Sequence, residues 1–161
     1  FQTQVFFLLS RYRQQMELKQ QNLFEQKVVC DYMFGKDLIF AHINLSQEEM
    51  ELYTQIFKLL DQRLPKPEAV IFLQASADVL LKRVKKRAVD YEQGIQQDYM
   101  LKLSQAYSQF FMQYNACPVL IVNTSGLDFV TRTEDYEMLK NELKNLIRSG
   151  KEKHYVTIDS R

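Results

Sequence analysis

Two arginines four positions apart are the residues of this chain best suited to bind a phosphate. Arg83 and Arg87 belong to a basic stretch, 82–87, and share one face of a helix. Two guanidinium groups on one face can clamp a phosphoryl group and stabilise its negative charge during transfer. A solvated helix face explains the stretch as well, and spacing alone favours that alternative. A nucleic-acid patch fits less well, because Asp90 and Glu92 follow and would repel a phosphate backbone.

A second pair of polar residues lies near the start of the chain. Gln4 and Arg11 are seven positions apart, so at about 100° per residue they lie within roughly 20° of each other on a helix. A glutamine amide offers a donor and an acceptor side by side, which suits the hydrogen-bonding edge of a nucleobase. Two polar residues on a solvated face are again the alternative that spacing alone favours. His42 and His154 lack the spacing of metal ligands.

The composition is that of a globular domain and excludes several classes of protein. The 161 residues are 46% hydrophobic and 25% charged, which excludes intrinsic disorder. The net charge of +1 excludes a large electrostatic field that would attract nucleic acid or an anionic membrane. The apolar runs are too short to cross a membrane. Cys30 and Cys117 form no C-x-x-C motif, which indicates a reducing, cytoplasmic compartment. All four glycines are isolated, so the chain contains no glycine-rich phosphate loop.

Helices alternating with short strands must position these residues. Apolar periodicity and capping signals predict helices over 1–27, around 38–41, from Ser46 to before Pro65, from Ser76 through the basic stretch, over 96–114 and over 133–148. Strands are predicted at 27–31, 69–73 and 119–122. This alternation predicts a parallel sheet flanked by helices, a three-layer α/β fold with ligands beyond the carboxyl ends of the strands. Asp31, Gln74 and Asn123 fall at such ends.

Several short stretches occur together in an order that is similar to a known family. They are Phe1-Gln2-Thr3-Gln4 before Leu9-Ser10-Arg11, Leu73-Gln74-Ala75-Ser76, Leu81-Lys82-Arg83 with Arg87, Glu92-Gln93-Gly94-Ile95, Tyr99-Met100, Val29-Cys30-Asp31-Tyr32 and Leu38-Ile39-Phe40-Ala41. Together they resemble the deoxynucleoside kinases, and most of all the bacterial purine deoxynucleoside kinase branch. The resemblance runs from Phe1 to about Val130 and implies a P-loop kinase-like fold.

The resemblance implies an activity and a place for the base. The expected reaction transfers the γ-phosphoryl group of ATP, with Mg²⁺, to the 5′-hydroxyl of a deoxynucleoside, with a purine as the expected base. Gln4 falls on the glutamine that recognises the base, Arg11 assists it, and Gln2 is a weaker candidate. The resemblance also implies a homodimer formed through helix faces. The net charge and the short apolar runs predict neither nucleic acid nor a membrane among the partners.

The remaining site residues also follow from the resemblance. Arg83 and Arg87 fall on the catalytic arginines of a lid that spans about 82–94. Glu92 falls on the acid that holds the 3′-hydroxyl of the sugar, and Tyr99 belongs to the substrate site. The residues expected near the adenine of ATP are Asn123, Asp128 and Phe129.

The chain departs from the family pattern at three points. Cys30-Asp31-Tyr32 stands where much of the family has Glu-Arg-Ser, so a phosphate-holding arginine is replaced and Asp31 is expected to take a polar role at the substrate. Val89 stands where the lid often has another arginine. The phosphate loop and general base of the family precede Phe1, so residues 1–161 are expected to be the later part of one kinase domain, inactive alone. A non-catalytic nucleotide-binding domain and a nucleoside monophosphate kinase stay open as alternatives.

Overall fold

The computed structural model describes residues 1–21, 28–87, 94, 96–150 and 152–156. In chain order, its elements are α1 (Gln2–Gln21), α2 (Lys36–Asn44), α3 (Gln47–Asp61), β1 (Val70–Gln74), α4 (Ala77–Arg87), α5 (Gln97–Gln113), β2 (Val119–Asn123), α6 (Thr133–Ser149) and β3 (Lys153–Val156). Backbone contacts divide the chain into two compact units, residues 1–65 and 66–161. Each unit is described by itself.

The first unit consists of three helices around an apolar core. Its buried side chains come from all three helices and from the segments beside them, and they are Leu8, Phe34, Ala41, Tyr53, Phe57 and Leu64. The rings of Phe34 and Phe57 stack with their centroids 5.0 Å apart. The apolar periodicity of α1 is confirmed at Leu8, which is fully buried, whereas Leu9 is 40% exposed. The core therefore uses a narrower face of α1 than the apolar residues suggest.

The start of α3 confirms the predicted capping box. Ser46 Oγ accepts a hydrogen bond from the backbone N–H of Glu49, and Glu49 Oε2 accepts one from the backbone N–H of Ser46. These bonds satisfy two amides that the helix itself leaves without an acceptor. The helix ends at Asp61, before Pro65 can interrupt its hydrogen bonds. The direction in which α3 leaves α2 is therefore set by local sequence.

The prediction of a strand at 27–31 is wrong for residues 28–31, which are the part of that range that the structure describes. Val28 to Cys30 have no regular secondary structure, Asp31 lies in a bend, and Val29 is 99% exposed. A strand is held by hydrogen bonds to a neighbouring strand, and the described part of the first unit contains none. Three apolar residues without a pairing strand gain no ladder hydrogen bonds, and here they are exposed to solvent. Asp31 therefore does not follow a strand.

The second unit contains a three-stranded parallel sheet with helices on both faces. The strand order is β1-β2-β3, and Gln74 lies opposite Asn123 where β1 and β2 end. Phe72 stacks on Phe111 of α5 at 4.5 Å between centroids. Leu120 and Val122 of β2 lie in an apolar cluster with residues of α6. Because successive residues of a strand point to opposite faces of a sheet, α5 and α6 cover opposite faces of this sheet. The predicted three-layer α/β arrangement is confirmed.

The third strand, β3, is absent from the predicted elements. Its four residues pair in parallel with β2, so that His154 lies opposite Leu120. His154 Nε2 lies 2.7 Å from Glu142 Oε2 on α6, which ties the strand to the helix beside it. The segment carries no apolar run, because only one of its faces meets the core. Its strand conformation depends on β2, which a local pattern does not reveal.

Candidate functional site

A buried ion pair is the polar centre of the first unit. Asp37 lies in the first turn of α2 and is only 2% exposed, and its Oδ1 accepts a hydrogen bond from Arg11 Nη1 of α1. The second oxygen, Oδ2, accepts a hydrogen bond of 2.6 Å from Tyr32 Oη. A buried carboxylate is stable only when charge and hydrogen bonds compensate its lost hydration. Both oxygens of Asp37 are therefore committed within the protein.

Aromatic rings fix the orientation of Arg11. Its guanidinium carbon lies 4.8 Å from the centroid of Tyr32 and 5.7 Å from that of Phe7. Cation–π contacts of this kind restrict the plane of the guanidinium group. The side chain is still 33% exposed, and a guanidinium has five N–H donors. Arg11 thus presents fixed donors to solvent while Asp37 holds its other side.

The predicted pairing of Gln4 with Arg11 on one helix face agrees with α1. Gln4 is half-buried in the same helix, and Phe7 lies between the two at a helical spacing. The face therefore presents an amide, an aromatic ring and a guanidinium group in succession. Such a face can bind a flat heterocycle by hydrogen bonds and ring contact.

Asp37 and Tyr32 are the site residues that sequence reasoning missed. Asp31 was expected to take a polar role at the substrate, which stays a prediction, and it is exposed. The carboxylate that pairs with Arg11 is Asp37, which was not singled out. The available signal was an acid in the first turn of a helix, directly before the apolar residues Leu38 and Ile39. Its partner is 26 positions away, so only the packing of α1 on α2 identifies the pair.

Burial near the ion pair shifts the pKa values of two neighbouring side chains, Tyr32 and Lys36. Burial and the hydrogen bond to Asp37 raise the pKa of Tyr32 well above its usual range. Burial and the positive charge of Arg11 lower the pKa of Lys36, whose ammonium lies 5.8 Å from the ring centroid of Tyr32. Tyr32 accordingly stays a neutral hydrogen-bond donor at physiological pH.

Arg83 joins α4 to the carboxyl ends of two strands in the second unit. Its Nη1 donates to Thr124 Oγ1 at 2.9 Å, and its Nη2 donates to the carbonyl oxygen of Thr124 at 2.7 Å. Thr124 in turn donates to the carbonyl oxygen of Gln74 from its hydroxyl at 3.0 Å and from its backbone N–H at 2.7 Å. The predicted phosphate-binding arginine is thus held at the edge where α/β proteins bind ligands.

The hydroxyl of Thr124 should contribute measurably to stability. Thr124 is 1% exposed, and replacing it by valine removes the bonds to Gln74 and to Arg83 Nη1 without changing the side-chain shape. We expect Thr124→Val to lower the free energy of unfolding by about 1.5 kcal/mol. Thr124→Ser keeps the hydroxyl and loses one buried methyl group, so its loss should be only about 0.8 kcal/mol. Urea unfolding checks this, and equal losses in both variants would contradict it.

The polar side chains predicted near adenine fix the loop after β2. Asn123 Oδ1 accepts from the backbone N–H of Ser125 at 3.0 Å. Asp128 accepts from the backbone N–H groups of Val130 and Thr131 at 3.0 and 3.1 Å and from the Thr131 hydroxyl at 2.7 Å. Phe129 packs against the cluster beneath α6. These three residues shape the loop, and their contact with adenine stays a prediction.

The hydrogen bonds of Asp128 should make stability sensitive to acid. The hydroxyl and then the backbone N–H of Thr131, with that of Val130, lower the pKa of Asp128 from 3.8 to about 2. Because the folded pKa is the lower one, this stabilisation is complete above about pH 4 and disappears as the pH falls toward 2. Asp128→Asn should flatten the unfolding free energy over that interval, whereas Glu134→Gln on α6 should not. An unchanged acid dependence in Asp128→Asn would disprove this.

The other predicted site residues lie apart from these contacts or outside the described chain. Arg87 is exposed at the last position of α4, one turn after Arg83. Tyr99 is half-buried in the first turn of α5, where the neighbouring Gln97 donates to Asp78 Oδ1 of α4 at 3.3 Å. Glu92 lies outside the described residues, as do 88–91 and 93. The structure therefore places the first turn of α5 near the start of α4 and leaves the position of Glu92 open.

The described residues show neither a metal-binding cluster nor a membrane-spanning helix. They contain no group of three His, Cys, Asp or Glu side chains able to hold a metal ion. None of the helices within the described ranges is long and apolar enough to cross a membrane.

The sequence is similar to known kinases along most of its length. The family model for deoxynucleoside kinase matches residues 1–148. A deoxyguanosine kinase from Bacillus subtilis (strain 168) is 35% identical over 152 residues, which cover 91% of this chain and 73% of that protein. A deoxyadenosine kinase from Lactobacillus acidophilus is 28% identical over 158 residues, covering 88% and 74% of the two chains.

The fold is similar to solved kinase structures. Deoxyadenosine kinase from M. mycoides with bound dATP matches with a TM-score of 0.73 and 26% identity, over 89% of this chain and 74% of that one. The same enzyme with bound dCTP matches with a TM-score of 0.71 and 25% identity, over 90% and 73%. These matches confirm the P-loop kinase-like fold expected from the resemblance. On the family match and the identity to the B. subtilis enzyme, this chain belongs to the deoxynucleoside kinase family of phosphotransferases.

Proposed function

We propose that this chain is the nucleoside-binding part of an enzyme that transfers the γ-phosphoryl group of ATP to the 5′-hydroxyl of a purine deoxynucleoside. The observation that carries the proposal is the orientation of Arg11. Buried Asp37 holds one side of its guanidinium group and Tyr32 supports its face, so the exposed donors point in a fixed direction. Preorganised donors bind a matching ligand without first losing their own freedom.

Donors alone favour a base edge that carries acceptors. Guanine presents O6 and N7 side by side, and an arginine binds this pair with two hydrogen bonds, whereas adenine replaces O6 by an amino donor. The half-buried amide of Gln4, on the same helix face, supplies both a donor and an acceptor to a second position of the base. Deoxyguanosine is therefore the purine that fits best. Similarity to a deoxyguanosine kinase supports this choice.

The phosphate-binding role belongs to the arginines of α4. Arg83 is held by Thr124 at the carboxyl ends of β1 and β2, and Arg87 follows one turn later on the same face. Positive charge placed there stabilises the negative charge of a phosphoryl group during its transfer. Asp31, Tyr99 and Glu92 stay proposed substrate contacts, and Asn123, Asp128 and Phe129 stay proposed neighbours of adenine. The described residues contain no group of three His, Cys, Asp or Glu side chains that would hold the Mg²⁺ of the proposed reaction.

The proposed assembly is a homodimer formed through helix faces of the first unit. Large apolar side chains on α1 and α3 are exposed, and those outside the proposed base-binding face include Phe6, Leu9, Leu52 and Leu59. Burying such side chains between two copies removes apolar surface from water. Sedimentation of the complete gene product should show a dimer, and a monomer at high concentration would refute this part of the proposal.

The experiment measures phosphoryl transfer from ATP by the complete gene product. The four deoxynucleosides and their monophosphates are compared as acceptors under one set of conditions. We expect transfer to the purine deoxynucleosides, with the highest kcat/KM for deoxyguanosine. Transfer only to monophosphates would support a nucleoside monophosphate kinase, and binding without any transfer would support a non-catalytic domain. Either result would overturn the proposal.

A further inference from the structure

Thr124 offers two oxygen atoms to one arginine. Its hydroxyl accepts a hydrogen bond of 2.9 Å from Arg83 Nη1, and its carbonyl oxygen accepts one of 2.7 Å from Arg83 Nη2. Bonds to both terminal nitrogens of a planar guanidinium group define the plane of that group as well as its position. Arg83 is exposed on α4, where a long side chain without such bonds samples several rotamers. Thr124 therefore determines where this positive charge lies.

The two acceptor oxygens are themselves held in place. Thr124 is 1% exposed, and it donates to the carbonyl oxygen of Gln74 from its hydroxyl at 3.0 Å and from its backbone N–H at 2.7 Å. The next residue, Ser125, accepts a hydrogen bond at its Oγ from the backbone N–H of Ser76, directly before α4. The loop after β2 is thus tied both to β1 and to the start of the helix that carries Arg83.

The bonds to Thr124 leave part of the guanidinium group for a ligand. An arginine has five N–H donors in one plane, and Thr124 takes one donor from each terminal nitrogen of Arg83. The other donors, including the Nε–H, belong to the same fixed plane. A phosphoryl group that binds them meets an arginine whose orientation is already set, so no side-chain freedom is lost at that moment.

We propose that Thr124 is a positioning residue that orients Arg83 for phosphoryl transfer. This inference rests on the proposed function. Thr124 acts through the arginine and does not touch the substrate. Stabilisation of a transferring group depends on donors that are aimed in advance at the developing charge, and a displacement of about 1 Å costs about a hundredfold in rate. The orientation should therefore affect kcat and leave the KM for the deoxynucleoside unchanged.

The test is Thr124→Val in the complete gene product, because valine keeps the side-chain shape and lacks the hydroxyl. Arg83 Nη1 then loses its acceptor, and only the bond from Nη2 to the carbonyl oxygen restrains the guanidinium group. We expect kcat to fall about tenfold or more, the size expected for one hydrogen bond to a charged group. The KM for the preferred deoxynucleoside should stay within about twofold. Thr124→Ser keeps the hydroxyl and should restore kcat to within about twofold of the wild type.

Ser108→Ala is the matched control. Ser108 lies half-buried on α5, where its hydroxyl accepts from Gln74 Nε2 at 3.0 Å and donates to the carbonyl oxygen of Ser104 at 3.0 Å. The change removes a hydroxyl that is bonded to the same residue of β1 and leaves both bonds of Arg83 in place. Its kcat should equal that of the wild type. An equal loss of kcat in Ser108→Ala and Thr124→Val would indicate a general loosening of this end of the sheet and would overturn the proposal.

A double-mutant cycle with Arg83→Ala tests whether Thr124 acts through the arginine. Once the arginine is absent, Thr124→Val should not lower kcat any further. Arg83→Lys approaches the same question without changing Thr124, because lysine keeps the charge but lacks the planar fork that binds both oxygens. Its kcat should also fall about tenfold or more.

The outcomes separate this inference from the function on which it rests. A further loss of kcat in the double variant would overturn the inference, as would wild-type kcat in either Thr124→Val or Arg83→Lys. In each of these cases the wild-type enzyme still phosphorylates deoxynucleosides, so the proposed function stands. A complete gene product that transfers no phosphoryl group to any deoxynucleoside would overturn the proposed function and this inference with it.

Discussion

Replacing Asp37 by alanine should lower the free energy of unfolding by about 3 kcal/mol, because the change breaks an ion pair whose carboxylate is buried. The substitution leaves Arg11 without its counter-ion and Tyr32 Oη without its acceptor at 2.6 Å. Losses from breaking a buried pair reach higher values, but Arg11 is one-third exposed, so solvent offsets part of the lost interaction. Urea unfolding of the complete gene product measures the change.

The same variant should also lose its preference for one nucleobase over the others. Without Asp37, only the aromatic contacts of Arg11 restrain its guanidinium group, so the donors are no longer fixed toward one edge of a purine. Asp31→Ala is the control for stability, because Asp31 is exposed in the neighbouring bend, and its loss should be below about 0.5 kcal/mol. A loss below about 1 kcal/mol in Asp37→Ala would show that the ion pair is not the organising centre of this unit.

Replacing Arg87 by alanine should lower kcat by about a thousandfold, which is the low end for removing an arginine from phosphoryl transfer. Arg87 lies exposed at the end of α4, so truncating it leaves no cavity in the core. The equivalent change at Arg83 should lower both kcat and stability, because it also removes two hydrogen bonds to Thr124. The two variants thus separate charge stabilisation from structural anchoring.

Steady-state kinetics with saturating ATP and deoxyguanosine measure this prediction. The control is Lys85→Ala, which removes an exposed positive charge from the same helix but from a different face. It should retain kcat within about twofold, whereas a simple loss of basic charge would affect Lys85 and Arg87 alike. Activity of Arg87→Ala at the wild-type level would remove Arg87 from the catalytic residues.

Local sequence signals predicted most of the elements because those signals act over a few residues. The capping box at Ser46, the proline after α3 and the apolar run of β2 each determine structure within one turn or one strand. The wrong strand at Val28 and the missed strand β3 share one cause. Each depends on whether a neighbouring strand is available, and pairing with a distant strand leaves little trace in a short segment.

The candidate site was predictable only where its residues share one helix. Gln4 and Arg11 are related by the geometry of α1, and Arg83 and Arg87 by that of α4. The ion pair of Arg11 with Asp37 joins two helices, so Asp37 was not singled out from the sequence. Thr124 was likewise not singled out, because its value comes from contacts with Arg83 and Gln74 that form only in the folded chain.

The parallel pairing of the sheet has a consequence for how the second unit folds. Parallel neighbours cannot be joined by a tight hairpin, and the bond between Thr124 and Gln74 closes a loop of 50 positions. The loop-closure entropy must therefore be lost before the β1–β2 ladder gains any hydrogen bond. Helices α4 and α5 form from local contacts, and they shorten the stretch of flexible chain that must close between β1 and β2. The rate-limiting step of folding should accordingly be the meeting of β1 with β2, and amides in β2, the central strand, should be among the slowest to exchange with solvent.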